Sequence, residues 1–222
     1  DGVLDVLLPS LTTSPESIGQ VELLALDGRA GQVLWTKPLP QPRNANWALT
    51  EIPPVVCVDL TGQGRLQVVL LSFERGPETG KAVARLQALE ATSGMEVWAT
   101  EFETRDGSGL SLLDEAGLNN RPRPLLLRDH DRYRICVNLW ESPERFVVVD
   151  SGGQVVSEVR LETMRGYHRG QFRVWACDAN GDDQDELLYI NRDQLMVASP
   201  ATPDQPWWQF PVRHLWSHEI EG

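Results

Sequence analysis

Apolar positions in this chain come in short runs with almost no helical spacing. Val55-Val56-Cys57-Val58, Val68-Val69-Leu70-Leu71 and Leu187-Leu188-Tyr189-Ile190 are typical, each broken off by Gly, Asp, Asn or Pro. Short β-branched and aromatic runs punctuated by turn formers predict strands joined by tight turns. The strongest helix candidate, 109–117, is a turn or two long. The pattern is that of an all-β chain.

The runs repeat. Ala25-Leu26-Asp27-Gly28-Arg29-Ala30-Gly31-Gln32-Val33-Leu34-Trp35 recurs as Ala88-Leu89-Glu90-Ala91-Thr92-Ser93-Gly94-Met95-Glu96-Val97-Trp98. This predicts a hairpin: an acid caps the turn, a glycine supplies positive φ, and the returning strand carries a large aromatic. A shorter copy at Val148 to Val156 has lost the tryptophan.

A second repeat interleaves with it, with an apolar strand on each side of an acidic loop. Its fullest form is Asp178-Ala179-Asn180-Gly181-Asp182-Asp183-Gln184-Asp185-Glu186. Val55 to Leu71 has the same layout with Asp59, Thr61, Gln63 and Gln67 in place of the acids, and Leu125 to Leu139 keeps the strands around Arg128-Asp129-His130-Asp131-Arg132. Asp1 to Leu8 matches the second half of such a loop and the strand after it. Each unit therefore reads as strand, acidic loop, strand, connector, strand, glycine turn, strand. Four-stranded units in series are the sequence signature of β-propeller blades. The expectation is a single propeller region over 1–222 with about four blades, at 1–40, 53–103, 122–162 and 171–213. The first blade is incomplete, and the start inside a repeat implies a piece of a larger wheel. If the wheel closes, the tail Arg213 to Glu221 would supply a strand beside Val3 to Leu8.

Composition narrows the function classes. The chain has 222 residues, 41% hydrophobic and 23% charged, an ordinary globular balance. Its formal net charge of -12 argues against nucleic acid, whose phosphates need a basic stripe. No apolar run approaches ~18 residues, so no membrane span is expected. The three cysteines, Cys57, Cys136 and Cys177, lack metal-ligand spacing and read as small buried hydrophobes within strands.

The glycine–tryptophan hairpins at Asp27 to Trp35 and Glu90 to Trp98 resemble the PQQ-like repeat of quinoprotein-type propellers. The Asp178 to Glu186 loop resembles the FG-GAP/VCBS repeat of integrin-α-type propellers. Their alternation is similar to that of secreted or membrane-anchored propeller proteins carrying both signatures, which implies an extracellular or periplasmic setting. The quinoprotein resemblance does not extend to chemistry. Those enzymes are expected to carry vicinal cysteines, and this chain has no Cys-Cys pair. No PQQ is expected, and no catalytic or cofactor-binding residue is assigned.

The acidic loop is the candidate metal site. Asp178, Asn180 and Asp182 stand at positions one, three and five, Gln184 offers a backbone carbonyl at seven, and Glu186 stands at nine. Alternate residues of a tight loop point to one side, so these oxygens suit one hard cation, Ca²⁺, in a structural role. It is not an EF-hand, since position twelve has no Glu and no helices flank it. Asp183 occupies a place where such loops usually have Gly, which Asp tolerates better than most residues. The alternative is a metal-free hairpin whose carboxylates cap backbone N–H groups.

Other polar groups carry less. His214 and His218 flank Trp216 near the C-terminus and read as an exposed tail rather than a zinc pair. Tyr167-His168-Arg169 sits in a Gly-flanked connector and reads as a solvated loop. Trp207-Trp208 reads as core packing in a degenerate last turn, the alternative being an exposed contact patch. The sequence thus points to a non-catalytic, Ca²⁺-stabilised recognition module for protein or carbohydrate. The competing reading is part of a propeller enzyme, a polysaccharide lyase or quinoprotein relative, with catalytic groups elsewhere.

Overall fold

The computed structural model of the chain describes residues 5–12, 20–39, 55–75, 82–103, 124–139, 144–161, 174–191, 194–203 and 205–211. The helix candidate at 109–117, the connector at 166–170 and the tail at 213–221 lie outside them, as do His168, His214 and His218. Among the described residues the regular structure is four antiparallel sheets, each ordered as the chain runs. The first contains β1 (Val6–Thr12), β2 (Gln20–Leu26) and β3 (Val33–Pro38). The second contains β4 (Val55–Val58), β5 (Gln67–Arg75), β6 (Ala82–Glu90) and β7 (Glu96–Glu103). The third contains β8 (Leu125–Asp129), β9 (Arg132–Asn138), β10 (Glu144–Val149) and β11 (Val155–Leu161). The fourth contains β12 (Val174–Cys177), β13 (Glu186–Asn191), β14 (Gln194–Ala198) and β15 (Trp208–Pro211). Among the described residues the structure is all-β, a partial β-propeller whose first blade shows three strands. Among the described residues no helix is long and apolar enough to cross a membrane.

The apolar runs show little alternation because the middle sheets are buried on both faces. Along β5, Val68 and Leu70 meet Leu23, Ala25 and Trp35 of the first sheet. Val69 and Leu71, one residue out of step, meet Ile135, Val137 and Val147 of the third. On the far side of the third sheet, Cys136, Phe146 and Val148 pack on Leu187 and Tyr189 of the fourth. Each of the three cores therefore joins one sheet to its successor.

A common turn then links the sheets. Gly31 N donates to Asp27 O at 2.7 Å, Gly94 N to Glu90 O at 2.8 Å and Gly153 N to Asp150 O at 3.1 Å. All three glycines have positive φ, and the strand before each turn carries a register shift that throws the last pair out of step. The glycine also makes room for the preceding blade. A β-carbon at Gly94 would stand 2.7 Å from the Trp35 ring, and one at Gly153 the same distance from Trp98. Each indole is fixed by its N–H, with Trp35 donating to Ala91 O at 2.8 Å and Trp98 to Ser151 O at 3.0 Å.

The third hairpin lacks a tryptophan but keeps the link. Ser157 lies opposite Val148, as Trp98 lies opposite Ala88 and Trp35 opposite Ala25. Its hydroxyl donates to Pro200 O in the fourth blade. In the fourth sheet the same register place, opposite Val197, belongs to Trp208.

Two expectations need correction. Trp207 is 54% exposed and is not core, although its N–H closes the turn onto Val197 O at 3.0 Å. Cys57 is exposed rather than buried. It lies opposite Val68, while Val58, the next residue of β4, is buried on the other face. Cys136 does behave as a core hydrophobe, its thiol pushed up to about 12 by burial.

Candidate metal centre

The acidic loop joins β12 to β13, and its own carboxylates shape it. Asp178 Oδ1 accepts N–H bonds from Gly181 (2.6 Å) and Asp182 (3.1 Å), while Oδ2 accepts from Asp183 (3.1 Å). Asn180 Oδ1 accepts from Asp182 N at 2.9 Å, and Asp182 Oδ1 accepts from Gln184 N at 2.9 Å. These nested Asx turns draw the chain into a tight coil. Gly181 and Asp183 both take positive φ, +81° and +66°. Asp183 therefore adopts the left-handed backbone expected for a residue in a glycine place.

Glu186 closes the coil. It is only 5% exposed, and its Oε2 accepts Ala179 N at 2.8 Å. Its Oε1 accepts the Asn180 side-chain amide at 3.1 Å, and the same amide nitrogen donates to Asp182 Oδ2 at 3.1 Å. Two carboxylates, from the middle and the end of the loop, thus converge on one donor.

The loop also leans on the third blade. Asp185 N donates to Arg128 O at 2.8 Å, Arg128 N to Asp185 Oδ2 at 2.7 Å, and His130 N to Asp183 O at 3.1 Å. The Arg128 guanidinium lies 3.4 Å from Asp178 Oδ2 and 3.6 Å from Asp183 Oδ1. Sequence reading did not foresee this partner, because Arg128 belongs to the preceding repeat. Partial burial pushes the Asp178 carboxyl up, but the N–H groups of Gly181, Asp183 and Asp182 and the Arg128 charge outweigh it and hold the group below its ordinary value. Nearby Cys177 is pushed up by burial first and then by Glu186, Asp185 and Asp178.

Of the five predicted ligands, Asp178, Asn180, Asp182 and Glu186 face one another through this network, and Gln184 stands in a bridge with Asp129. Among the described residues no three His, Cys, Asp or Glu side chains converge as metal ligands. The loop acids instead accept backbone and amide N–H groups. The donor set is nonetheless all oxygen and matches a hard divalent cation in type.

The degraded copy between β4 and β5 has the same frame. Asp59 accepts from Gln63 N (3.2 Å), Gly64 N and the Thr61 hydroxyl (3.3 Å), and Gln67 Oε1 accepts from Leu60 N at 3.0 Å. Gly62 and Gly64 have φ of +70° and +77°, in the places of Gly181 and Asp183.

No protein-family model and no curated protein sequence matches the chain. Solved structures do resemble it. A rhamnogalacturonan lyase of Bacillus licheniformis overlaps 90% of the chain with a TM-score of 0.55 at 15% identity. The rhamnogalacturonan lyase YesW overlaps 83% with a TM-score of 0.52 at 17% identity. The overlap with a europium-containing methanol dehydrogenase is looser, with a TM-score of 0.46 over 87% of the chain at 13% identity and 40% of that protein. The chain spans 39% and 35% of the two lyases' own lengths. What they share with it is the fold.

Proposed function

We propose that this chain is a calcium-stabilised β-propeller module of FG-GAP/VCBS type that presents a recognition surface to protein or glycan outside the cytoplasm. The observation that carries this reading is the convergence of Asp182 and Glu186 on one donor within a loop whose other polar groups are Asp178 and Asn180. A Ca²⁺ ion held by Asp178, Asn180, Asp182, Glu186 and the Gln184 carbonyl would add to the charge of Arg128 and take over the carboxylates that the Asn180 amide now bridges. Its contribution would be structural. By binding only the folded state it would stabilise by about 2.7 kcal/mol at a hundredfold excess over Kd. The alternating FG-GAP-like and PQQ-like repeats, together with abundant Ca²⁺ outside cells, support the extracellular or periplasmic setting. The formal charge of -12 favours cationic or Ca²⁺-bridged partners over nucleic acid.

Thermal unfolding with Ca²⁺ and with chelator tests the ion. The melting temperature should rise by several degrees with Ca²⁺ in the native chain and stay fixed in Asp182→Asn/Glu186→Gln. An unchanged melting temperature in the native chain would count against a bound ion. A glycan array tests the recognition reading. The likeness to the lyase fold supports a second reading, a polysaccharide-cleaving enzyme. Formation of unsaturated sugar products from rhamnogalacturonan by this chain alone would replace the binding-module reading with that one.

A further inference from the structure

Arg128 touches three residues of the acidic loop, and it belongs to another blade. Its backbone holds Asp185 twice, its N–H donating to Oδ2 at 2.7 Å and its carbonyl accepting from Asp185 N at 2.8 Å. Those two bonds fix where the Arg128 side chain starts. The guanidinium then lies 3.4 Å from Asp178 Oδ2 and 3.6 Å from Asp183 Oδ1. Asp178 is the more enclosed of the two partners, 18% exposed against 78%. The cation thus stands beside the first carboxylate of the coil, which also gathers the N–H groups of Gly181, Asp182 and Asp183.

The bend itself does not ask for this charge. Asp59 makes the same coil in the second blade with the N–H groups of Gln63 and Gly64 and the Thr61 hydroxyl. It forms no ion pair among the described residues, and no neighbouring charge acts on its carboxyl. The two loops differ in their acids. Residues 59–67 contain Asp59 alone, whereas 178–186 contain Asp178, Asp182, Asp183, Asp185 and Glu186. The guanidinium is found where the acids crowd.

We propose that Arg128 is the resident counter-cation of this loop, letting the crowded coil close without an ion and holding down its affinity for Ca²⁺. The inference deepens the calcium reading and rests on it for the place of the ion. A divalent ion drawing on Asp178 would share that carboxylate with the guanidinium and be repelled by its charge, a repulsion that water and salt weaken without removing. Removing the side-chain charge leaves both backbone bonds to Asp185 in place, so the joint between the third and fourth blades persists.

Isothermal titration with Ca²⁺ alone, at one fixed salt concentration, tests it on the native chain, Arg128→Gln and Arg128→Lys. Heat from this loop is the part lost in Asp182→Asn/Glu186→Gln. Arg128→Gln should bind about five- to tenfold more tightly than the native chain. Arg128→Lys, which keeps the charge, should stay near the native affinity. In chelator, Arg128→Gln should melt about a degree or two lower than the native chain, and saturating Ca²⁺ should close that gap. A merely structural role would lower both melting temperatures alike. Binding confined to Arg128→Gln would uphold the resident cation and overturn the calcium reading for the native chain. Equal affinities would overturn the resident cation and leave the calcium reading standing. Silence from both chains would overturn the two together. Arg128→Met, of similar length and without charge, repeats the comparison if circular dichroism shows Arg128→Gln to have lost its sheets.

Discussion

The loops at 59–67 and 178–186 have nearly one backbone and quite different charge. In both, a leading Asp gathers N–H groups from the coil, two residues take positive φ, and the ninth side chain caps the N–H of the second residue. That ninth residue is Gln67 in one and Glu186 in the other, and both use a side-chain oxygen. The coil therefore needs no more than one carboxylate. The additional acids at 182, 183, 185 and 186 are not required for the bend, which is the strongest reason to look for a cation in the fourth blade and not in the second.

The loops differ first in their surroundings, and that difference should give the largest effect. A β-carbon at Gly62 would collide with Asp131 O of the next blade, whereas one at Gly181 would meet nothing within 4 Å among the described residues. Gly62→Ala should cost about 3 kcal/mol or more, from backbone strain plus the collision, and Gly181→Ala about 1–2 kcal/mol from strain alone. Urea unfolding of the two variants measures the gap, and equal losses would refute the inter-blade contact. Next comes the cap. Glu186→Ala should cost roughly 1–3 kcal/mol by leaving Ala179 N–H without its acceptor. Glu186→Gln should keep the cap, as Gln67 does, and lose only the response to Ca²⁺.

A smaller effect is expected at Asp183. Its φ of +66° favours glycine, so Asp183→Gly should stabilise the metal-free chain by about 0.5–1 kcal/mol. Losing the long contact to Arg128, between two well-exposed side chains, should take little of that back. Chemical denaturation without Ca²⁺ reads the sign. The smallest effect concerns pH. Partial burial pushes Asp59 and Asp178 up, and the N–H groups of Gly64 and Gln63, or of Gly181, Asp183 and Asp182, outweigh it and bring both below 3.8. Folding thus favours their ionised forms. Their stabilisation is whole above the ordinary carboxylate range and fades as pH falls through the lower folded values. Asp59→Asn and Asp178→Asn should each flatten that acid limb in melting-temperature profiles.

Much of this was legible in the sequence because turns leave chemical marks. The Asp27 and Glu90 hairpins announced themselves by an acid, a glycine and a tryptophan at fixed places, and the structure uses each one. Four blades with a short first one followed from counting such units. What stayed hidden was chemistry shared between units. Ser157 was invisible as a stand-in for tryptophan, because its hydroxyl makes the same link with none of the bulk. Arg128 beside Asp178 required knowing that neighbouring blades touch at that rim. Cys57 read as buried because its run is apolar, whereas its side chain is exposed. In the metal loop, residue types were readable and their present hydrogen-bond partners were not.

The indole links all run one way. Trp35 reaches forward to Ala91, Trp98 to Ser151, and Ser157 continues the series to Pro200. A blade here is a unit with an input and an output. Whole units can be duplicated or deleted by recombination without inventing a new joint, provided the break falls between one output and the next input. The tolerance of the third joint for serine means that copies are free to drift in sequence while the assembly rule persists. Such drift makes the repeats hard to recognise by identity and easy to recognise by register.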